Sequence, residues 1–257
     1  MNWTISNCIK AHEADVRSVS FIKNTNLIVT GSRDKTCHIY DLSSNQLVTV
    51  LQGHDSYVQT ITVDPSENLI YTGCNDNKIR GYDYSEFKDE NKSPRGPGQI
   101  NPILTLTDHK DSVVAIDLDE KILVSASWDK SAKVFKKSGV RTEEKSVVSL
   151  EGHEAAIWDV KILTVRRQVL TASADKSINL WSLKGDIVMS FMGHTDCVRA
   201  LCYFHEDDDG SFYSTGNDGS IRQWYLTDGS SGAVVPAHGS YRLFGKNRVK
   251  MNMGWFS

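Results

Sequence analysis

Five histidines, five hydroxyls and five aspartates share one register along the 257-residue chain, and together they could do acid–base chemistry. His12, His54, His109, His153 and His194 are each followed, 20 to 24 residues later, by Asp34, Asp76, Asp129, Asp175 and Asp218. Four residues before each aspartate stands Thr30, Thr72, Ser125, Thr171 or Ser214. Six residues after it stands an aromatic: Tyr40, Tyr82, Phe135, Trp181 or Trp224. Hydroxyl, imidazole and carboxylate are the parts of a nucleophile–base–acid triad. A catalytic set is built once and opened to substrate, whereas this one is repeated at equivalent positions expected to be buried. A neutral imidazole donates from one nitrogen and accepts at the other, so each histidine can instead bridge its hydroxyl and its carboxylate. Histidines spread one to a unit do not converge on a metal. No catalytic residue, metal or cofactor is therefore expected.

The elements that must hold this register are β-strands. Successive histidines, counting His238 as a sixth, lie 42, 55, 44, 41 and 44 residues apart. Within the fourth unit, "AIWDVKIL", "QVLTAS", "SINLWS" and "DIVMSF" are short β-rich runs separated by turn residues. Four short antiparallel strands in ~40–45 residues make the blade of a β-propeller. Each histidine should precede the innermost strand, each hydroxyl should lie on the second strand, and each aspartate in the turn after it. The blades run roughly over 10–51, 52–107, 108–151, 152–192 and 193–236. The polar stretch 84–101, rich in Pro, Gly and charge, reads as a surface loop inserted in the second unit. The acidic "HEDDDG" at 205–210 reads as a solvated hairpin tip.

Composition closes off other classes. Hydrophobic residues are 39% and charged residues 24%, as in an ordinary soluble domain. A net charge of −3 supplies no basic field for nucleic acid or anionic lipid. No apolar run approaches the ~18–20 residues that span a bilayer, and the N-terminus has no signal-peptide pattern. Five cysteines without CxxC spacing argue against a disulfide framework and a zinc site, so a reducing compartment, cytoplasm or nucleus, is expected.

The repeat spacing is similar to that of the WD-repeat family over residues 3 to about 241. In that family a hydrogen-bond chain runs from Trp through Ser/Thr and His to Asp. Here Trp181 and Trp224 can open it, Tyr40 and Tyr82 carry a hydroxyl, and Phe135 has no polar atom. The two Trp-Asp dipeptides, Trp128-Asp129 and Trp158-Asp159, stand off the family's signature position; Asp129 belongs to the register and Asp159 does not. The resemblance also implies three top-face positions in each blade: three and five residues after the His, and one before the turn Asp. In blades three and four these give Val114, Trp128, Ala156, Trp158 and Ala174, an apolar patch, with Arg17, Arg33 and Arg199 of blades one and five as its rim. Exposed tryptophans rimmed by arginine suit a protein-binding hot spot.

"SASWDKSAKVF", "EGHEAAIWDVKIL", "LTASADKSINLW", "GHTDCVRAL", "NDGSIRQW" and "AHEADVRSV" followed by "GSRDKT" resemble the phospholipase A-2-activating protein family. That resemblance implies a seven-bladed propeller that binds ubiquitin on one face. In the family a ubiquitin-binding domain follows, then a helical repeat that binds the AAA+ ATPase valosin-containing protein. Residues 232–241 resemble the close of blade five and the opening of blade six. Residues 242–257 resemble nothing in the family, so blades six and seven and both later domains are expected to be missing, and the ATPase link with them. The expectation is a non-catalytic ubiquitin-binding adaptor in ubiquitin-dependent protein degradation. The alternative is a general scaffold that holds another protein or peptide on the same face.

Overall fold

The computed structural model describes residues 8–87, 98–137, 145–203 and 210–236. The start of the N-terminal strand, His238, the 242–257 tail and all but one residue of the acidic run lie outside the described residues. Within them the chain is all-β and forms five sheets, each with an antiparallel four-stranded blade. Blade one is β1 (Val16–Phe21), β2 (Leu27–Ser32), β3 (Cys37–Asp41) and β4 (Gln46–Leu51). Blade two is β5 (Val58–Asp64), β6 (Leu69–Cys74), β7 (Ile79–Asp83) and, after the short β8 (Gly98–Ile100), β9 (Leu104–Leu106). Blade three is β10 (Val113–Leu118), β11 (Ile122–Ser127), β12 (Ser131–Lys136) and β13 (Val148–Glu151). Blade four is β14 (Ile157–Leu163), β15 (Gln168–Ser173), β16 (Ser177–Ser182) and β17 (Ile187–Met192). Blade five is β18 (Val198–Cys202), β19 (Ser211–Gly216), β20 (Ser220–Tyr225) and β21 (Ser231–Pro236).

One expectation is corrected. The stretch 84–101 is not all loop: Ser85–Phe87 makes a 3-10 turn, and β8 pairs in parallel with β4 at the outer edge of blade one. The Thr49 hydroxyl donates to the Gly98 carbonyl at 3.0 Å. An outer strand carries unpaired amides and carbonyls that a passing segment can satisfy. Three residues beside Gly and Pro carry no period by which to read that pairing.

The turn between the second and third strands is held by the register aspartate. Asp34, Asp129 and Asp175 each accept the amide two residues on at 2.9 Å. The residue just after the aspartate is left-handed in every blade: Lys35 (φ 71°), Asn77 (69°), Lys130 (71°), Lys176 (75°) and Gly219 (71°). Only Gly219 adopts that conformation without a Cβ penalty.

Blades pack in chain order through their inner strands, β1 on β5, β5 on β10, β10 on β14 and β14 on β18. The one–two joint buries Val29, Ile39 and Leu51 against Val58, Ile61 and Tyr82. The four–five joint buries Leu170, Leu180 and Phe191 against Leu201, Phe212 and Trp224. Each such side chain contributes roughly 1.5–3 kcal/mol when fully buried. One polar staple crosses every joint. Ser18 Oγ accepts the Ile61 amide (3.0 Å), and the Thr62 hydroxyl donates to the Ile116 carbonyl (2.9 Å). Asp117 accepts the Ile162 amide and Asp159 the Leu201 amide, both at 2.7 Å. Asp159, outside the register, thus ties blade four to blade five. The two–three joint also buries an ion pair between Lys137 Nζ and Asp64 at 2.5 Å, with Lys137 donating to the Asp119 carbonyl at 2.8 Å.

Candidate functional site

The repeated polar set forms closed hydrogen-bond chains. In blade four Trp181 Nε1 donates to Thr171 Oγ1 at 2.7 Å, and Thr171 meets His153 Nε2 at 2.7 Å. The Asp175 carboxylate can only accept, so a neutral His153 faces it with a protonated Nδ1 and leaves Nε2 to accept from the Thr171 hydroxyl. His153 Nδ1 donates to Asp175 at 2.7 Å. Blade five repeats this through Trp224, Ser214, His194 and Asp218, at 2.8, 2.7 and 2.8 Å. Blade three begins at Ser125, since Phe135 donates nothing, and runs through His109 to Asp129 at 2.7 and 2.8 Å. Blade one links Thr30, His12 and Asp34 at 2.8 and 3.0 Å. The tyrosines do not take the place of the indoles on the strand hydroxyl, although the Tyr82 hydroxyl lies 3.4 Å from His54 Nε2. Tyr40 donates to the Ala11 carbonyl (2.9 Å) and Tyr82 to the Gln52 carbonyl (2.6 Å), because a phenol reaches past the strand hydroxyl to the backbone ahead of the histidine.

Electrostatics follow from these partners. Burial disfavours charge on Asp34, but the Thr36 hydroxyl and the amides of Thr36 and Glu13 hold its carboxyl down at about 2. Burial likewise opposes charge on Asp129 and Asp175. The His109 and His153 imidazoles and the hydroxyls of Ser131 and Ser177 keep both well below the usual carboxylate range. All five strand hydroxyls are buried, so none can meet a substrate.

Blade two departs from the register. His54 Nε2 meets Thr72 at 2.8 Å, yet its buried Nδ1 has no partner. Asp76 is taken instead by Arg80, whose two terminal nitrogens donate at 2.7 and 3.1 Å. Burial and the neighbouring Arg80 charge push the His54 pKa down to about 4. Sequence reading missed Arg80, although a signal was present. In the other blades the residue two after the aspartate is a hydroxyl that bonds it, while blade two has Lys78 there.

The top-face positions have a common backbone cause. Each inner strand carries a β-bulge where it pairs with the second strand, at Val16/Ser18, Val58/Thr60, Val113/Ala115, Ile157/Asp159 and Val198/Ala200. The residue inside each bulge is Arg17, Gln59, Val114, Trp158 or Arg199. A bulge leaves one residue out of the ladder and re-aims its side chain. Beside it, the residue before the turn aspartate donates its amide to the residue three after the histidine. The pairs are Arg33 to Asp15 (3.0 Å), Asn75 to Tyr57 (2.8 Å), Trp128 to Ser112 (3.0 Å), Ala174 to Ala156 (2.9 Å) and Asn217 to Cys197 (2.8 Å).

On this face the structure brings Trp128, Trp158 and Arg199 together across three blades. The indoles meet edge to face with centroids 5.3 Å apart, and the Arg199 guanidinium lies 3.6 Å from the Trp158 ring centroid. Both rings are half-buried, and neither buried Nε1 has a hydrogen-bond partner. Val114, Ala156 and Ala174 are half-buried on the same two blades.

The arginine rim is corrected. Arg17 and Arg33 lie on blade one, so blade two separates them from the tryptophans. Arg33 is engaged there, 3.1 Å from Asp15 and 5.0 Å from the Tyr57 ring centroid. β18 does not pack closely on β1 among the described residues. Among the described residues no three His, Cys, Asp or Glu side chains could hold a metal ion, and no helix is long and apolar enough to cross a membrane.

Comparison with known proteins gives concordant results. The WD domain, G-beta repeat family (WD40) matches residues 3–41, 45–83, 100–136, 144–182 and 185–225. Protein DOA1 of Saccharomyces cerevisiae is 30% identical over 245 residues, 95% of this chain and 31% of that protein. The Ubiquitin fusion degradation protein 3 homolog of Caenorhabditis elegans is 25% identical over 234 residues, 89% of this chain and 26% of that protein. The chain thus spans between about a quarter and a third of the length of these curated relatives. The crystal structure of the WD40 β-propeller domain of Doa1 superposes with a TM-score of 0.73 at 29% identity, over 88% of this chain and 70% of that one. The computationally designed Ika8 protein superposes with a TM-score of 0.72 at 19% identity, over 90% of this chain and 64% of that one, a likeness of fold alone.

Proposed function

The chain belongs to the WD-repeat family, with homologues in the phospholipase A-2-activating protein family, and on that premise we propose that it is a non-catalytic adaptor in ubiquitin-dependent protein degradation. Its top face binds ubiquitin. The observation that carries this reading is the Trp128–Trp158–Arg199 stack, a half-buried aromatic anchor with a cation laid on it. Tryptophan and arginine are the residues that most often dominate protein–protein binding energy. A ubiquitin-pathway partner is favoured because a relative over most of the chain is named as a ubiquitin fusion degradation protein homologue. The buried hydroxyls and the repetition of the His–Asp pair in four of the five blades leave no chemistry for the polar sets beyond holding the blades. Such an adaptor works in cytoplasm or nucleus, and any AAA+ ATPase is reached through parts of the relatives that this chain does not match.

Titrating isotope-labelled ubiquitin with the chain tests this. A contiguous set of ubiquitin amide signals should shift, and the shifts should vanish with Trp158→Ala. Unaltered spectra at millimolar concentration would overturn the ubiquitin reading. A different protein bound through the same tryptophans would then establish the general scaffold in its place.

A further inference from the structure

The polar side-chain groups of the tryptophan stack are all donors. The Nε1 groups of Trp128 and Trp158 are buried and bonded to nothing. Arg199 is exposed, and its guanidinium leans back on blade four, 3.6 Å from the Trp158 ring centroid. A guanidinium carries five N–H donors and no acceptor, so resting on a ring face leaves its donors to be met. Among the described residues Arg199 makes no hydrogen bond or ion pair. Other cations around the turns are spent within the top face: Arg33 on Asp15 and Lys78 on Asp55, both at 3.1 Å, and Arg80 on Asp76 at 2.7 Å. The carboxylates beside the stack in sequence are bonded to backbone. Asp159 takes the amides of Leu201 and Val160, and Asp196 that of Cys197.

We propose that Arg199 is the seat of a carboxylate side chain of the partner: an aspartate or glutamate of ubiquitin lies on the guanidinium, and an apolar residue beside it packs on the tryptophan pair. This rests on the ubiquitin reading above and adds which group of ubiquitin the face selects.

A free cation with unmet donors is matched by an anionic acceptor, and an Arg–carboxylate pair is among the stronger hydrogen-bonded contacts. The ring beneath the guanidinium holds it in place, so less ordering remains to be done on binding. Val114, Ala156 and Ala174 make the ground beside it apolar, which strengthens the pair once the partner excludes water. The indole N–H groups are covered, so the reachable donors belong to the guanidinium, one planar fork for one carboxylate. A side chain supplies that carboxylate rather than a chain end. An adaptor of degradation meets ubiquitin as conjugates, in which the terminal carboxylate has become an amide. A partner with lysine or arginine at the same place meets like charge and is rejected.

Calorimetric titration of the full chain with ubiquitin, from about 0.05 to 0.5 M salt, tests this. Wild-type affinity should fall as salt rises. Arg199→Gln should bind about fivefold more weakly at low salt, the upper end for an exposed ion pair, and its affinity should vary less with salt. Arg17→Gln, which removes the same charge from blade one, should behave as wild type. Among ubiquitin variants with single Asp or Glu residues changed to Lys, one should bind the wild-type chain poorly and recover binding with Arg199→Glu. Thermal melts confirm that each variant folds. Arg199→Gln with the wild-type salt dependence, or a full set of ubiquitin variants with none rescued, would overturn this proposal and leave the ubiquitin reading standing. No binding of ubiquitin to the wild-type chain would overturn both.

Discussion

Trp128 and Trp158 come from different blades and meet edge to face at 5.3 Å, with neither indole N–H bonded. Trp181 and Trp224, by contrast, sit inside their blades with both N–H groups on strand hydroxyls. The chain thus uses one residue type in two ways. One pair is structural and closed; the other stands at bulge or turn positions on the top face with Arg199 laid against it.

Truncating that stack should cost binding more than stability. Trp158→Ala should weaken ubiquitin binding by about 2 kcal/mol or more, roughly thirtyfold, as expected of a central aromatic anchor. Arg199→Ala should cost about 1 kcal/mol, the scale of a partly desolvated cation–π contact. Calorimetric titration with thermal melts of the same samples checks both; a melting point that collapses with the affinity would make the stack structural.

Phe135→Trp should be neutral or stabilising by about 1 kcal/mol, the net worth of the hydrogen bond an indole could make to Ser125. Phe135 occupies the position of Trp181 and Trp224, and blade three has the same hydroxyl–His–Asp chain beyond it. Urea unfolding is the measurement. A loss above about 1 kcal/mol would mean that the blade-three core has no room for the larger ring.

His54 should make stability depend on pH. Its folded pKa of about 4 lies below the ordinary 6.5, so the unfolded chain takes up the proton first. Its contribution is complete above pH 6.5 and is lost as pH falls towards 4, by at most ~3 kcal/mol. His54→Gln should flatten the fall in urea midpoint across this window. An unchanged slope would place the titration elsewhere.

Asp159→Ala should loosen the four–five joint. Asp159 accepts the Leu201 amide at 2.7 Å and the Val160 amide at 2.8 Å, and losing a buried acceptor costs about 1–3 kcal/mol. Hydrogen exchange at the Leu201 amide should accelerate more than exchange in blades one to three. Uniform acceleration would assign Asp159 a role beyond its joint.

Much of this was legible because strand and turn lengths fix the register. The His, hydroxyl and Asp spacings place those groups on the edge of the first strand, on the second, and in the turn, and four of the five chains form from spacing alone. The top-face positions came from the resemblance to the WD-repeat family, and the structure places each in a bulge or beside the turn. What escaped depended on contacts between units. Arg80 takes the aspartate in the one blade where Lys78 stands in place of the hydroxyl two residues after it. Lys137 occupies a position that is Leu226 in blade five, and it is buried because Asp64 reaches it from another blade. β8 has no pattern of its own and exists because β4 offers an edge. Arg33 is engaged by Asp15 and Tyr57, contacts that no spacing in the sequence encodes.

The central claim, that the partner docks on the open tryptophan pair, is tested most directly by the indole N–H signals of the tryptophan-labelled chain on adding ubiquitin. The signals of Trp128 and Trp158 should shift in a saturable way, while those of Trp181 and Trp224, bonded to Thr171 and Ser214, stay in place. Saturable binding that leaves the Trp128 and Trp158 signals unmoved would contradict it.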